Sequence, residues 1–173
     1  MSEARTLNLL GAFSLSVMDM LEASLEASTG YGGETPAALV SLGAEPGLSV
    51  QSLSEILDLS HPGTVRLVDR LEKEGLLERR AGLDGRTLSL YLTNAGQKKR
   101  RIMLQERSQK LRLAFNALTQ SERRQLAPLL EKMLAAMTTD EKSWSSICRL
   151  CEEEVCPGKT CPVEQKYRQL IAP

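Results

Sequence analysis

Aromatic side chains, histidine and early positive charge are all scarce in this chain of 173 residues. It has six aromatics and one histidine, and over its first 65 residues Arg5 is the lone base against eight acids. With so few rings, a pocket for a planar ligand would rest on Leu, Met and Val more than on stacking. The single histidine leaves no plausible His-based triad. There is also no glycine-rich phosphate loop, and the acidic pairs fall at surface-helix spacing, so the residues argue against an enzyme. No apolar run reaches the length that crosses a bilayer, and "MSEARTLNLL" lacks the basic start and cleavage site of a secretory signal. These absences predict a cytoplasmic protein with no membrane partner. Cysteine is absent until position 148.

With 42% hydrophobic residues the chain can fill one core, and one globular domain with extensions is expected. Charge is segregated: residues 66–112 carry thirteen bases against six acids, although the whole chain is neutral. Such a basic segment suits a polyanionic partner or, equally, a solvated helical surface. Leu10, Phe13, Val17, Leu21 and Leu25 recur at helical spacing and predict a long first helix from Leu7 to Ala27. Thr35 is positioned to cap a short helix with Pro36 at its first position, reaching about Leu42.

Ser49 then caps "VQSLSEILDL", and after a short break Ser60 caps a helix with Pro62 in its first turn, extending to Glu74 and closed by Gly75. Two helices so tightly joined form a helix-turn-helix candidate. At 100° per residue Val65, Val68 and Leu71 share one side, with Thr64 and Leu67 near them. Arg66, Arg70 and Lys73 line the other, a spacing suited to phosphates and guanine edges or to ion pairs with Asp69 and Glu74. "LLERR" and "TLSLYLT" read as two strands joined at Asp84-Gly85, a β-hairpin whose Arg79, Arg80 and Arg86 could reach a phosphate or the adjacent minor groove. Thr93 caps a helix from Asn94 to about Leu118. Another runs from Ser121 to about Met137, with Leu126, Leu130, Met133 and Met137 on one stripe; Pro128 predicts a bend or a late start there.

"LSVQSLSEILDLSHPGTVRLVDRLEKEGLLERRAGLDGRTLSLYLTNAG", Leu48 to Gly96, is similar to the winged helix-turn-helix core of the MarR family of bacterial transcription regulators. "VDRLEKEGLLER", "DGR" and "LTNAG" stand in the family's order and spacing, and the flanking helices extend the resemblance over residues 7 to about 140. It implies a mainly α fold with a small β-hairpin wing and long N- and C-terminal dimerisation helices. The corresponding regions are an N-terminal dimerisation and linking segment (1–47), the DNA-binding core (48–96), C-terminal dimerisation helices (97–145) and a cysteine-rich extension (146–173). The resemblance further implies a homodimer that binds palindromic double-stranded promoter DNA, usually to repress, released by a small-molecule or redox effector. Carried onto this chain, DNA contacts would come from His61, Pro62, Gly63, Thr64, Arg66 and Arg70, with Asp84 and Arg86 at the wing tip. The wing "AGLDGR" departs from the common "DRRDGR", which implies weaker or differently anchored wing contacts. His61 also leans toward the core side of its helix. The contrasting reading is a helical interaction module whose basic middle segment binds an acidic protein.

The last feature is "CRLCEEEVCPGKTCP", which places Cys148, Cys151, Cys156 and Cys161 within fourteen residues. Four thiolates complete a closed tetrahedral zinc site, and Pro157, Gly158 and Pro162 supply turns around one ion. The spacing resembles a zinc knuckle with cysteine in place of its histidine. An iron–sulfur cluster is the alternative, since proline follows two of the cysteines, and metal-free thiols that oxidise are a third reading.

Overall fold

The computed structural model describes residues 2–81 and 88–172. In chain order the elements are α1 (Glu3–Thr29), α2 (Thr35–Ala44), α3 (Val50–Leu57), α4 (His61–Lys73), β1 (Leu77–Ala81), β2 (Leu88–Leu92), α5 (Asn94–Phe115), α6 (Gln120–Met137), α7 (Glu141–Ile147) and α8 (Pro162–Ile171). The mainly helical chain with one antiparallel hairpin is the fold class expected from its sequence.

Capping sets most of these limits. Ser49, Ser60 and Thr93 each accept a hydrogen bond from a backbone N–H in the first turn of α3, α4 and α5. Such a cap contributes about 0.5–2 kcal/mol over alanine. Thr35 is a correction. It lies inside α2, fully buried, and Glu34 holds the cap position without a side-chain bond. The last long helix also differs from expectation: α6 is continuous from Gln120 through Pro128, because Thr119 and Glu122 form a reciprocal capping box that starts it before the proline.

One core gathers the lobe. Leu39 and Leu42 of α2, Leu53 and Leu57 of α3, Leu67, Val68 and Leu71 of α4, Leu77 and Leu90 of the hairpin, and Met103 of α5 all pack together. β1 and β2 pair in register Leu77↔Leu92 through Ala81↔Leu88. The segment before α3 joins them, with Leu90 N–H donating to the Leu48 carbonyl at 2.9 Å and Gly47 N–H to the Leu90 carbonyl at 2.9 Å. α1 lies along α5, and α8 lies against α6. The stem is barely covered: α6 buries no residue, and α1 buries Leu21, Leu25 and Thr29 alone.

Gly96 marks the tightest approach. A Cβ there would sit 2.0 Å from the Leu76 carbonyl oxygen, which accepts the Thr93 N–H at 3.1 Å. The start of α5 is thus pressed against the end of α4, and no flexible side chain is there to yield. Gly96→Ala should lower unfolding stability by about 1–3 kcal/mol through overpacking. Urea denaturation followed by circular dichroism measures this directly, and an unchanged midpoint would refute the close contact.

Candidate nucleic-acid interface and thiol cluster

α3 and α4 are joined by three residues. Asp58 takes the left-handed conformation with φ 52°, Leu59 N–H returns to the Ser54 carbonyl at 3.0 Å, and Ser60 caps α4 through Gly63 N–H at 3.3 Å. This turn fixes how α4 projects. Its apolar side faces the core, whereas His61, Pro62, Arg66, Asp69, Arg70 and Lys73 are exposed. His61, which leans toward the core on a wheel, is exposed because it is the first helical residue, with no preceding turn to be covered. Gly63 is half-buried. Thr64 is turned inward: it is fully buried and donates its hydroxyl to the Ser60 carbonyl at 3.2 Å. It supports the turn and offers nothing to a partner from outside.

The guanidinium groups have different surroundings. Arg66 has no ion-pair or hydrogen-bond partner among the described residues. Arg70 donates to the Thr35 hydroxyl at 2.6 Å, tying α4 to α2. Arg79, expected beside the hairpin loop as a phosphate contact, instead straps β1 to α4. It pairs with Asp69 at 2.6 Å and with Glu72. The pairing of Asp69 is therefore with Arg79, not with Arg66 or Arg70. Arg80 pairs with Glu78 and lies over the Tyr91 ring at 4.5 Å. Asp84 and Arg86 lie outside the described residues. Part of the basic run opening α5 is also absorbed internally, since Lys99 donates to the Thr29 carbonyl at the end of α1 at 3.1 Å and Arg100 to the Val40 carbonyl at 3.4 Å. These bonds satisfy carbonyl groups of α1 and α2 and tie both helices to α5.

The cysteine stretch links α7 to α8. Cys161 is buried, Cys148 and Cys151 are half-buried, Cys156 is exposed, and all four are free thiols. All four line one cleft, where the Cys148 thiol interacts with those of Cys151 and Cys161, and the Cys156 thiol with that of Cys161. The hydrogen bond from Cys148 lowers the Cys151 pKa to about 6 against the opposing effect of burial, with the charge of Arg107 assisting. Cys148 is pushed up by the same hydrogen bond and by burial; Cys156 is raised by burial and by Cys161. Among the described residues, no three His, Cys, Asp or Glu side chains converge as a formed metal centre.

The position of the extension is not evident from its residues. α7 packs on α3, and Lys142 pairs with Asp58 at 2.6 Å, right at the turn that aims α4. Trp144 stacks on Tyr167 with centroids 4.7 Å apart and donates its indole N–H to Glu164 at 2.7 Å. The Asp140–Ser143 capping box that starts α7 is a signal from which this helix could have been located. Between extension and lobe lies a cleft of about 1220 Å³, lined by Ile56, Leu59, Arg107, Leu134 and Trp144 and reaching the four cysteines and His61. Among the described residues, no helix is long and apolar enough to cross a membrane.

Comparison with known proteins bears on this geometry. A model of the MarR family matches residues 30–87, which contain the helix-turn-helix. The transcriptional repressor MprA of Escherichia coli K12 is 33% identical over 108 residues, 61% of each chain, so the match spans less than two thirds of that relative. The HTH-type transcriptional repressor MdtR of Bacillus subtilis is 32% identical over 114 residues, covering 64% of this chain and 74% of that one. A MarR family protein from Bacillus stearothermophilus superposes with a TM-score of 0.69 at 23% identity, over 80% of this chain and 99% of the other, a likeness of fold. With the winged helix-turn-helix in place and a relative matched over three quarters of its length, this chain belongs to the MarR family.

Proposed function

We propose that the protein is a transcriptional repressor, not an enzyme, that binds promoter DNA as a homodimer through the exposed face of α4. The observation that carries this reading is the disposition of α4 itself. Its apolar side is consumed by the core, and its outer side offers Arg66, with no partner among the described residues, and Lys73 exposed two turns further on. A helix so presented after a tight turn fits the major groove, where arginine pairs with guanine edges or phosphates. His61 and Pro62 at its exposed N-terminus are further candidate contacts, and Arg70 can join them on leaving Thr35. The relatives named as repressors support the direction of regulation.

The case for a dimer is physical. Leu10 and Phe13 of α1, Leu113 and Phe115 of α5, and Leu130 and Met133 of α6 all stand exposed in a single chain. Soluble monomers rarely leave so much apolar surface uncovered, and a second copy would bury these faces reciprocally. Two α4 helices related by a two-fold axis would read an inverted repeat. The cleft between extension and lobe is where a small ligand or redox signal would act, through contact with both the stem and α3.

Arg66→Ala should flatten the dependence of log affinity on log salt by roughly one unit if the residue holds a phosphate. It should cost about 1–3 kcal/mol and relax one base preference if it reads guanine. Fluorescence anisotropy on promoter fragments at several salt concentrations separates the two, and absence of salt-dependent DNA binding by the parent protein would overturn the reading. Footprinting should show half-sites about one helical turn apart. Combining Phe13→Glu with Met133→Glu should convert a dimer to a monomer in analytical ultracentrifugation; a parent protein already monomeric at micromolar concentration would refute the dimer.

A further inference from the structure

We propose that Cys148, Cys151, Cys156 and Cys161 bind one zinc ion as a closed tetrathiolate, and that this ion holds the C-terminal extension against the reading lobe. The site does not depend on the DNA-binding reading.

The extension is held shallowly, by the packing of α7 on α3 and of α8 on α6 and by partly buried Leu150 against the core. α7 buries no residue, α8 buries Val163 alone, and residues 153–160 of the connecting loop are all exposed. The Lys142–Asp58 pair is 62% and 72% exposed, the kind of contact that salt screens and that contributes little. Segments with so small a core are commonly stapled by disulfides or a metal. Yet the backbone of the loop folds back on itself. Cys151 N–H closes onto the Cys148 carbonyl at 2.8 Å, and Cys161 N–H onto the Pro157 carbonyl at 3.1 Å, so each turn brings a later cysteine back toward an earlier one. The four thiols line the same cleft and lie close enough to perturb one another, Cys148 with Cys151 and Cys161, and Cys156 with Cys161.

That spacing favours a single ion. Thiols gathered on one cleft can close on a single ion at zinc–sulfur distances of about 2.3 Å, whereas a multi-iron cluster must be accommodated between its thiolates and holds them further apart. Closure requires the cysteine side chains, the exposed Cys156 among them, to turn onto the ion, since among the described residues no three converge as they stand. Electrostatics calls for a cation as well. Glu153 lies near Cys151 and Glu131 near Cys156, with Arg107 as the cation beside Cys151. Four thiolates here would repel one another and both carboxylates; a divalent ion supplies the missing positive charge. On binding, the thiol protons leave to solvent, four Zn–S bonds form, and the centre carries two negative charges beside Arg107.

Elemental analysis of the full-length protein, purified in reductant without chelator, should find one zinc per chain. Replacement by cobalt(II) should give the intense thiolate-to-metal absorption and visible bands of a tetrahedral tetrathiolate. Cys148→Ser should lose stoichiometric zinc. Cys156→Ser, in the exposed part of the loop, should lose it too while keeping its helical circular dichroism, which guards against a variant that merely misfolds. Chelation should expose the 148–161 loop to proteolysis. Brown protein containing iron and sulfide, protein that takes up neither zinc nor cobalt, or zinc content unchanged in both serine variants would each overturn the site.

Discussion

The burial of Leu67, Val68 and Leu71 is the constraint on which the rest of the lobe depends. Each such side chain contributes about 1.5–3 kcal/mol when removed from water, far more than any exposed ion pair on the same helix. Fixing this apolar side fixes the opposite one, so the rotation of α4 about its axis is decided by hydrophobic packing, and the position of its cations follows. The short Asp58–Ser60 turn then sets the helix's tilt, and the Arg79 strap to Asp69 and Glu72 prevents the hairpin from swinging away from it.

Positive charge in the middle of the chain serves two ends. Arg79, Lys99 and Arg100 are spent internally, on carboxylates of α4 and on carbonyls of α1 and α2. Arg66 and Lys73 remain outward. A count of bases therefore overstates how many side chains are free to reach a polyanion, since Arg79 is neutralised by Asp69 and Glu72 while Lys99 and Arg100 are tethered to carbonyls. The extension meets the base of the α4 face that carries Arg66 and Lys73, because α7 rests on α3 and Lys142 pairs with Asp58 in the turn from which α4 departs.

Most helix limits were legible in the residues. Serine and threonine caps at 49, 60 and 93 act within one turn, so local sequence contains them, and the 100° periodicity of α4 separated its two faces for the same reason. What escaped was long-range. Thr35 looks like a cap in isolation, but the core beneath α2 claims it and Arg70 bonds to it. Arg79 and Arg100 look like free surface charges until the chain brings Asp69 and the Val40 carbonyl beside them. Thr64 resembles a contact residue by position in the family's motif, and its burial follows from α4's rotation. The cysteines were legible as a group from spacing; that their loop lies beside Arg107 and α3 was not, because it depends on how two poorly buried helices dock.

α6 carries a further consequence. A helix of eighteen residues with nothing buried, carrying an internal proline, draws little stability from its own chain beyond its capping box and the contact with α8. Should two copies pair through this stem, its folding becomes a function of mass action, and chains too dilute to pair would present frayed stems to proteases.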